Sequence, residues 1–418
     1  KFSFYQATLS TMLSVGFAIP IAHALCRRQF FGRALLLRLF ASTLVLPVLV
    51  GVFGLLAIYG NSGWLAKFLA NFDIELPFSI YGLNGILLAH VFFNLPYASR
   101  LLLQALDTVP AEQHKLCAHL GMSHWNKFRW VEWPRLRQQL PHVCGLVFML
   151  CFTSFAIVMS LGGGPDYATL EVAIYQSLKF DFDIEQAVAL AIIQIAITAF
   201  LMFVSNLWFK PQPMPTPTGQ RFPRPDKRDK RSRYYDWGVF SIAALLFLPP
   251  LAAVLFSGLN SQTLNFITAP VLWQAAYISL KIALTASLLS ALLAIAILFS
   301  TRVLKLKLGW SNLANVIESL GSIILVVPAL VLGTGLFLLL RETVDVFSIA
   351  PILVVLVNAL MALPYQLRIL NQPIQDSFSA YDKLAASLGM SAWQRLRLVE
   401  WPQLLQPIAM GLVLSCVL

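Results

Sequence analysis

Nine stretches of this chain are long and apolar enough to cross a bilayer and a tenth begins near its end, and this constrains its fold more than any other feature. A membrane span needs about 20 mostly apolar residues. Such stretches lie near 4–26, 39–60, 83–103, 140–161, 186–209, 237–258, 273–300, 317–341 and 349–370, and a tenth begins after Pro402. Lipid offers no hydrogen bonds to a bare backbone, so segments of this length must be helical. The composition agrees: 58% of residues are hydrophobic, 12% are charged and the mean hydropathy is +0.74. Soluble domains carry about 25% charged residues. The expected fold class is all-α, a polytopic membrane helical bundle. Pro20, Pro47, Pro96, Pro328 and Pro364 fall inside the stretches, where neighbouring groups can satisfy the carbonyls they free.

The net charge of +11 is distributed in a pattern. Basic residues gather after the first span (Arg27, Arg28, Arg33, Arg38), between the third and fourth (Lys115, Lys127, Arg129, Arg135, Arg137) and after the fifth, from Lys210 to Arg233. They gather again after the seventh span (Arg302, Lys305, Lys307) and after the ninth (Lys383, Arg395, Arg397). Strict alternation puts all five groups on one side, and the positive-inside rule makes that side the cytoplasm. The opposite loops, 61–82 and 162–185, are acidic or nearly neutral and are expected in the periplasm. Residues 210–236 hold six prolines and a basic run, the composition of an extended linker. That run reads as a topology determinant meeting anionic membrane lipid, with no nucleic acid as partner.

A repeat organises the chain. Lys115 to Pro134 reads KLCAHLGMSHWNKFRWVEWP, and Lys383 to Pro402 reads KLAASLGMSAWQRLRLVEWP. The register is constant, pairing Gly121 with Gly389, Trp125 with Trp393 and Pro134 with Pro402. Two copies so far apart mean duplicated halves. The division is 1–209, a linker at 210–236, and 237–418, with an internal duplication of about six helices per half. The chain opens inside one apolar stretch and closes inside another, so a longer protein truncated at both ends is expected.

Each copy is a polar and aromatic island between apolar stretches. Leu116 and Leu120 lie one turn apart on a first short helix. Gly121 is a natural stop and Ser123 a cap for a second helix, whose inward face would carry Trp125, Phe128 and Val131. Leu384, Leu388, Gly389, Ser391, Trp393, Leu396 and Val399 repeat the pattern. The bland interpretation is a pair of amphipathic surface helices. Two copies in one register favour a docking element.

These islands resemble the EAA loops of ATP-binding cassette (ABC) importer permeases. The resemblance implies a type I importer permease fold, in which each island is a coupling helix set into a groove on an ATPase subunit. The coupling residues it implies are Lys115, Leu116, Ala118, Leu120, Gly121, Met122, Ser123 and Trp125, with Lys383, Leu384, Ala386, Leu388, Gly389, Met390, Ser391 and Trp393. It implies two copies of an ABC ATPase subunit and a periplasmic substrate-binding protein as partners. The location it implies is the bacterial inner membrane. One departure stands out: the family's Glu, six residues before the Gly, is replaced by Lys115 and Lys383.

The sequence contains no G-x-x-x-x-G-K-[ST] phosphate loop, so ATP hydrolysis is expected on a separate subunit and the chain itself is not an enzyme. No cofactor or metal is expected. His114, His119 and His124 stand five apart and share no helical face, and the five cysteines form no C-x-x-C pair. The stretches LLAHVFFNLPYASRLLLQAL at 87–106, LGMS at 120–123, VEWP at 131–134 and SLGGGP at 160–165 resemble the permeases of thiamine importers. They imply thiamine and its phosphates as cargo, with ferric iron as the alternative. An ion-coupled secondary transporter would need ionisable residues at mid-membrane depth, where this chain has almost none. Asn94, Asn358 and Glu318 are polar within or beside spans, and no residue is assigned to the cargo path.

Overall fold

The computed structural model describes all residues except Leu44, 209–229, Asn260, Lys307, Ile323, Leu325, Val326, Pro328 and Leu418. Most of the linker expected at 210–236 therefore lies outside the described residues. Among those described, every regular element is helical. The chain packs as two compact units, Lys1–Ser261 and Gln262–Leu418.

The first unit is built around α1 (Phe2–Arg27). Ser10, Ser14, Ala18 and Ala22 recur every fourth residue on its buried face. Burying Leu against lipid tails gains nothing by transfer, so membrane helices associate by close packing, which small residues permit. Next come α2 (Arg33–Ser42), α3 (Val48–Tyr59), α4 (Trp64–Ala70) and α5 (Leu83–Asp107), and α5 lies along α1. The stretch expected as one span at 39–60 is broken. Pro47 caps α3 in a non-helical conformation (φ −54°, ψ 132°) instead of lying within a helix, whereas Pro20 and Pro96 are accommodated inside α1 and α5.

The chain continues through α6 (Ala111–His119), α7 (His124–Lys127), a π-helical turn (Phe128–Glu132) and α8 (Trp133–Phe152). A 53° bend at Thr153 and Ser154 leads into α9 (Phe155–Leu161), so the span expected at 140–161 is also bent. α10 (Leu170–Lys179) packs on α11 (Ile184–Trp208). α12 (Lys230–Gly258) closes the unit against α1 and α3. That approach is close: a β-carbon at Gly54 would sit 2.6 Å from the Pro250 carbonyl oxygen. At the carboxyl-terminal end of α1, fully buried Asp236 of α12 accepts from Arg27 and Arg28, each at 2.6 Å. The sequence repeat thus groups α12 with the second half, while its packing groups it with the first unit.

The chain passes into the second unit through α13 (Ser261–Thr268). α14 (Pro270–Leu306) takes the place of α1, and its buried face carries Ser287, Ser290, Ala291, Ala294, Leu298 and Thr301. α15 (Ser311–Ser322) and α16 (Ala329–Leu340) occupy the stretch expected as one span at 317–341. α17 (Val346–Ser387), α18 (Ala392–Arg395), a second π-helical turn (Leu396–Glu400) and α19 (Trp401–Val417) complete the unit. Leu298, Leu363, Leu367, Leu370 and Leu404 form its core. α17 is one helix where the first unit has α5 and α6. The first unit has Pro110, whose ring forces Val109 out of helical geometry, and the second has Phe378 at that register.

Seven helices among the described residues are long and apolar enough to cross a membrane, and the bent pair makes an eighth. The all-α, polytopic architecture expected from the sequence is the one observed.

Candidate functional site

The two islands share one backbone design. In the first, α6 ends in a Schellman motif. The Met122 N–H donates to Cys117 O (3.0 Å) and the Gly121 N–H to Ala118 O (3.2 Å). The motif requires a left-handed residue, and Gly121 supplies it with φ 60°. In the second, Gly389 has φ 63° and the Met390 N–H donates to Ala385 O at 3.0 Å. The expected Gly stops are therefore in place.

The serine caps are in place as well. Ser123 Oγ accepts from the Asn126 N–H, and Ser391 Oγ from the Gln394 N–H. Gln394 returns the bond, its Oε1 accepting from the Ser391 N–H at 2.9 Å, which completes a capping box. Asn126, one methylene shorter, stands at that place in the first island.

Each second helix then widens into a π turn, which the sequence pattern did not reveal. The Trp133 N–H bonds Phe128 O and the Trp401 N–H bonds Leu396 O, five residues back. The cause is Pro134 and Pro402. Neither has an N–H, and each ring would clash with the carbonyl four residues earlier in an α-helix. A single wide turn relieves both problems.

The turn decides which side chains face out. Trp125 was expected to point inward; it is 67% exposed and stacks on half-buried Phe128, centroids 5.9 Å apart. Trp393 is likewise 69% exposed. Leu116 and Leu120 are exposed, and so is Leu388. Lys115, Ala118, Gly121 and Ser123 are exposed, as are Gly389 and Ser391, while Met122 and Met390 are half-buried. The side chains of Lys383, Leu384 and Ala386 lie outside the described residues. Within each unit the described island residues thus lie mostly at the surface, with Leu116, Leu120 and Trp125 as exposed apolar side chains in the first and Leu388 and Trp393 in the second. A groove of about 500 Å³ runs beside it in the first unit, between α6 and the start of α8, lined by Leu116, Leu120, Met122, Trp130 and Pro134 among others. The Arg129 guanidinium lies 5.4 Å from the Trp130 ring centroid.

Behind the exposed face each island buries a carboxylate that sequence reasoning passed over. Glu132 is 1% exposed and Glu400 2%. Glu132 meets His23 of α1 at 2.8 Å, and Glu400 accepts from Arg302 of α14 at 3.0 Å and from Arg395 at 2.8 Å. The signal available in the sequence was VEWP, a charged residue held in both copies amid apolar ones.

Inside the first unit a polar seam joins α1, α5 and α8. Gln6 donates to Cys151 O, Ser10 bonds His90, and Asn94 donates to Cys151 Sγ at 3.3 Å. Asn94 therefore makes an interhelical bond, and Glu318 pairs with Lys305 at 2.8 Å. Asn358 is exposed. A cavity of about 620 Å³ bounded by α1, α3, α5 and α12 is lined almost wholly by apolar side chains. Among the described residues no cluster of His, Cys, Asp and Glu could hold a metal ion.

Known transport proteins resemble this chain. The family described as "binding-protein-dependent transport system inner membrane component" matches residues 14–211 and 311–418. The chain is 49% identical over its whole length to the thiamine transport system permease protein ThiP of Escherichia coli K12, covering 78% of that protein. It is 42% identical over 99% of its length to the ThiP of Haemophilus influenzae Rd, covering 77% of it. The sulfate transport system permease protein CysW of Synechocystis is 30% identical over 48% of the chain, covering 71% of that relative. On the family match, the near full-length likeness and the helical bundle, the chain belongs to the inner-membrane permease components of binding-protein-dependent, ABC-type importers.

Proposed function

We propose that this chain is the permease of an ATP-driven importer for thiamine and its phosphates, and that its two islands each dock one copy of an ABC ATPase subunit. The observation that carries the docking is the pair of exposed apolar islands, alike in Schellman stop, serine cap and π turn although they stand in different halves of the chain. The names of relatives at 42–49% identity support the cargo. A periplasmic binding protein delivers it. The chain divides into a first half at 1–209, a linker at 210–236 and a second half at 237–418. Closure of the ATPase pair on ATP moves the islands, and partner binding biases the spans between inward- and outward-open states.

The test uses the complex of permease, ATPase and binding protein in proteoliposomes. Thiamine or its phosphates should stimulate ATP turnover and ferric iron should not. The double variant Gly121→Val, Gly389→Val should insert normally yet lose ATPase co-purification and uptake. Space is open at both glycines, so the effect is backbone strain of about 1–2 kcal/mol per site from a left-handed β-branched residue. Full ATPase binding and uptake in the double variant would refute the docking role. Stimulation by iron alone would refute the cargo.

A further inference from the structure

We propose that Glu132 and Glu400 are positioning residues that pass the movement of each island to the long helix behind it, α1 in the first unit and α14 in the second. This rests on the docking role proposed above.

Four observations carry it. The two carboxylates occupy the same register and are nearly fully buried. Both close a π turn, so each stands where the docked element becomes a membrane helix. Both reach the cytoplasmic end of the first long helix of their own unit, through His23 at 2.8 Å and Arg302 at 3.0 Å. Finally, the partners are not the same repeat position. In the register that pairs Ser3 of α1 with Ser279 of α14, His23 corresponds to Phe299, and the carboxylate's partner has moved three residues on to Arg302. The link is thus made twice with different residues, so the connection itself is what the two units share.

Ring contacts back each pair. His23 meets the edge of Phe128 at 5.2 Å, and the Arg302 guanidinium lies 4.3 Å from the Phe299 centroid. A buried carboxylate that parts from a partner loses compensation that a poorly solvated site does not replace. When the island moves, the helix end is therefore drawn with it. Arg395, on α18 of the second island, shares the Glu400 oxygen that Arg302 holds and so ties three elements at one atom.

The experiment compares Glu132→Gln and Glu400→Gln, near-isosteric changes, with the exchange His23→Glu plus Glu132→His. Each is assembled with ATPase and binding protein in proteoliposomes. The readouts are co-purified ATPase and cargo-stimulated turnover and uptake. Coupling between sites is typically worth about 5–150-fold, so each Gln variant should hold its ATPase within about twofold while coupled uptake falls about tenfold or more. The exchange should recover a substantial part of that loss. Normal coupled uptake in both Gln variants would overturn the proposal. So would loss of ATPase docking, which would make the carboxylates shapers of the island, or failure to accumulate in the membrane without recovery in the exchange, which would make them folding elements. The glycine variants separate this from the docking reading: if they keep their ATPase, docking fails whatever the carboxylates do.

Discussion

Glu171 shows how strongly one side chain can be set by its surroundings. It lies on α10, 4% exposed, and Gln194 of α11 donates to it at 3.0 Å. Burial raises its pKa from 4.5 to about 7, with the Gln194 bond a smaller opposing influence. An acid whose folded pKa is raised costs nothing while both states are protonated. The penalty grows as pH rises above the unfolded value and levels off beyond the folded one. The fold should therefore lose stability between about pH 4.5 and 7, by up to about 3 kcal/mol, and Glu171→Gln should flatten that slope. Thermal unfolding of the purified chain across this range checks it; an unchanged slope in the variant would assign the pH dependence elsewhere. At this scale the sequence was legible where the signal is local. Gly121, Gly389, Ser123 and Ser391 act within a few residues of themselves, and their roles as stops and caps could be read directly. Glu132 was visible as a repeated charge, but its partner His23 sits on α1, with six helices between them in the chain, and no local pattern reports such a pairing.

At the scale of elements, the π turns separate what periodicity predicts from what the backbone does. A 3.6-residue pattern placed Trp125 inward beside Phe128 and Val131. The wide turn adds one residue, worth about 100° of rotation, and Trp125 stands in solvent. Pro134→Ala and Pro402→Ala restore an N–H that can bond four residues back, so the wide turn loses its cause. The islands should rotate against α8 and α19, and co-purified ATPase should fall about fivefold or more in the double variant. The control Gln403→Ala, exposed just past the second proline, should change nothing. Full docking in the double proline variant would mean that the turns survive without their prolines or that island orientation is immaterial. The same limit on periodicity explains the broken spans. Hydropathy sums over a window and passes across Pro47 and the Thr153–Ser154 bend without registering either.

For the whole molecule, charge alone gives a testable topology. With the five native cysteines replaced, a cysteine at Asn126 should resist membrane-impermeant reagent in sealed cells, and one at Asp73 should react. Both positions are exposed in the structure, so accessibility is governed by the membrane. Labelling of Asn126 from outside would reverse the orientation and remove the islands from the ATPase. The all-helical class and the duplication were legible because long apolar runs and a constant register survive any detail of packing. The placement of α12 was not. Its apolar stretch follows the linker and reads as the start of the second half, yet Gly54, Arg27 and Arg28 receive it in the first unit.

That placement has a consequence for how the protein is made. The ribosome delivers α1 and α3 long before α12. The first unit therefore waits through the synthesis of α4 to α11 and the linker for the helix that covers Gly54 and neutralises Arg27 and Arg28. Throughout that interval the nascent chain holds Gly54 without the helix that packs on it, and Arg27 and Arg28 without Asp236. The first unit therefore cannot close until synthesis has passed the linker and entered the second half.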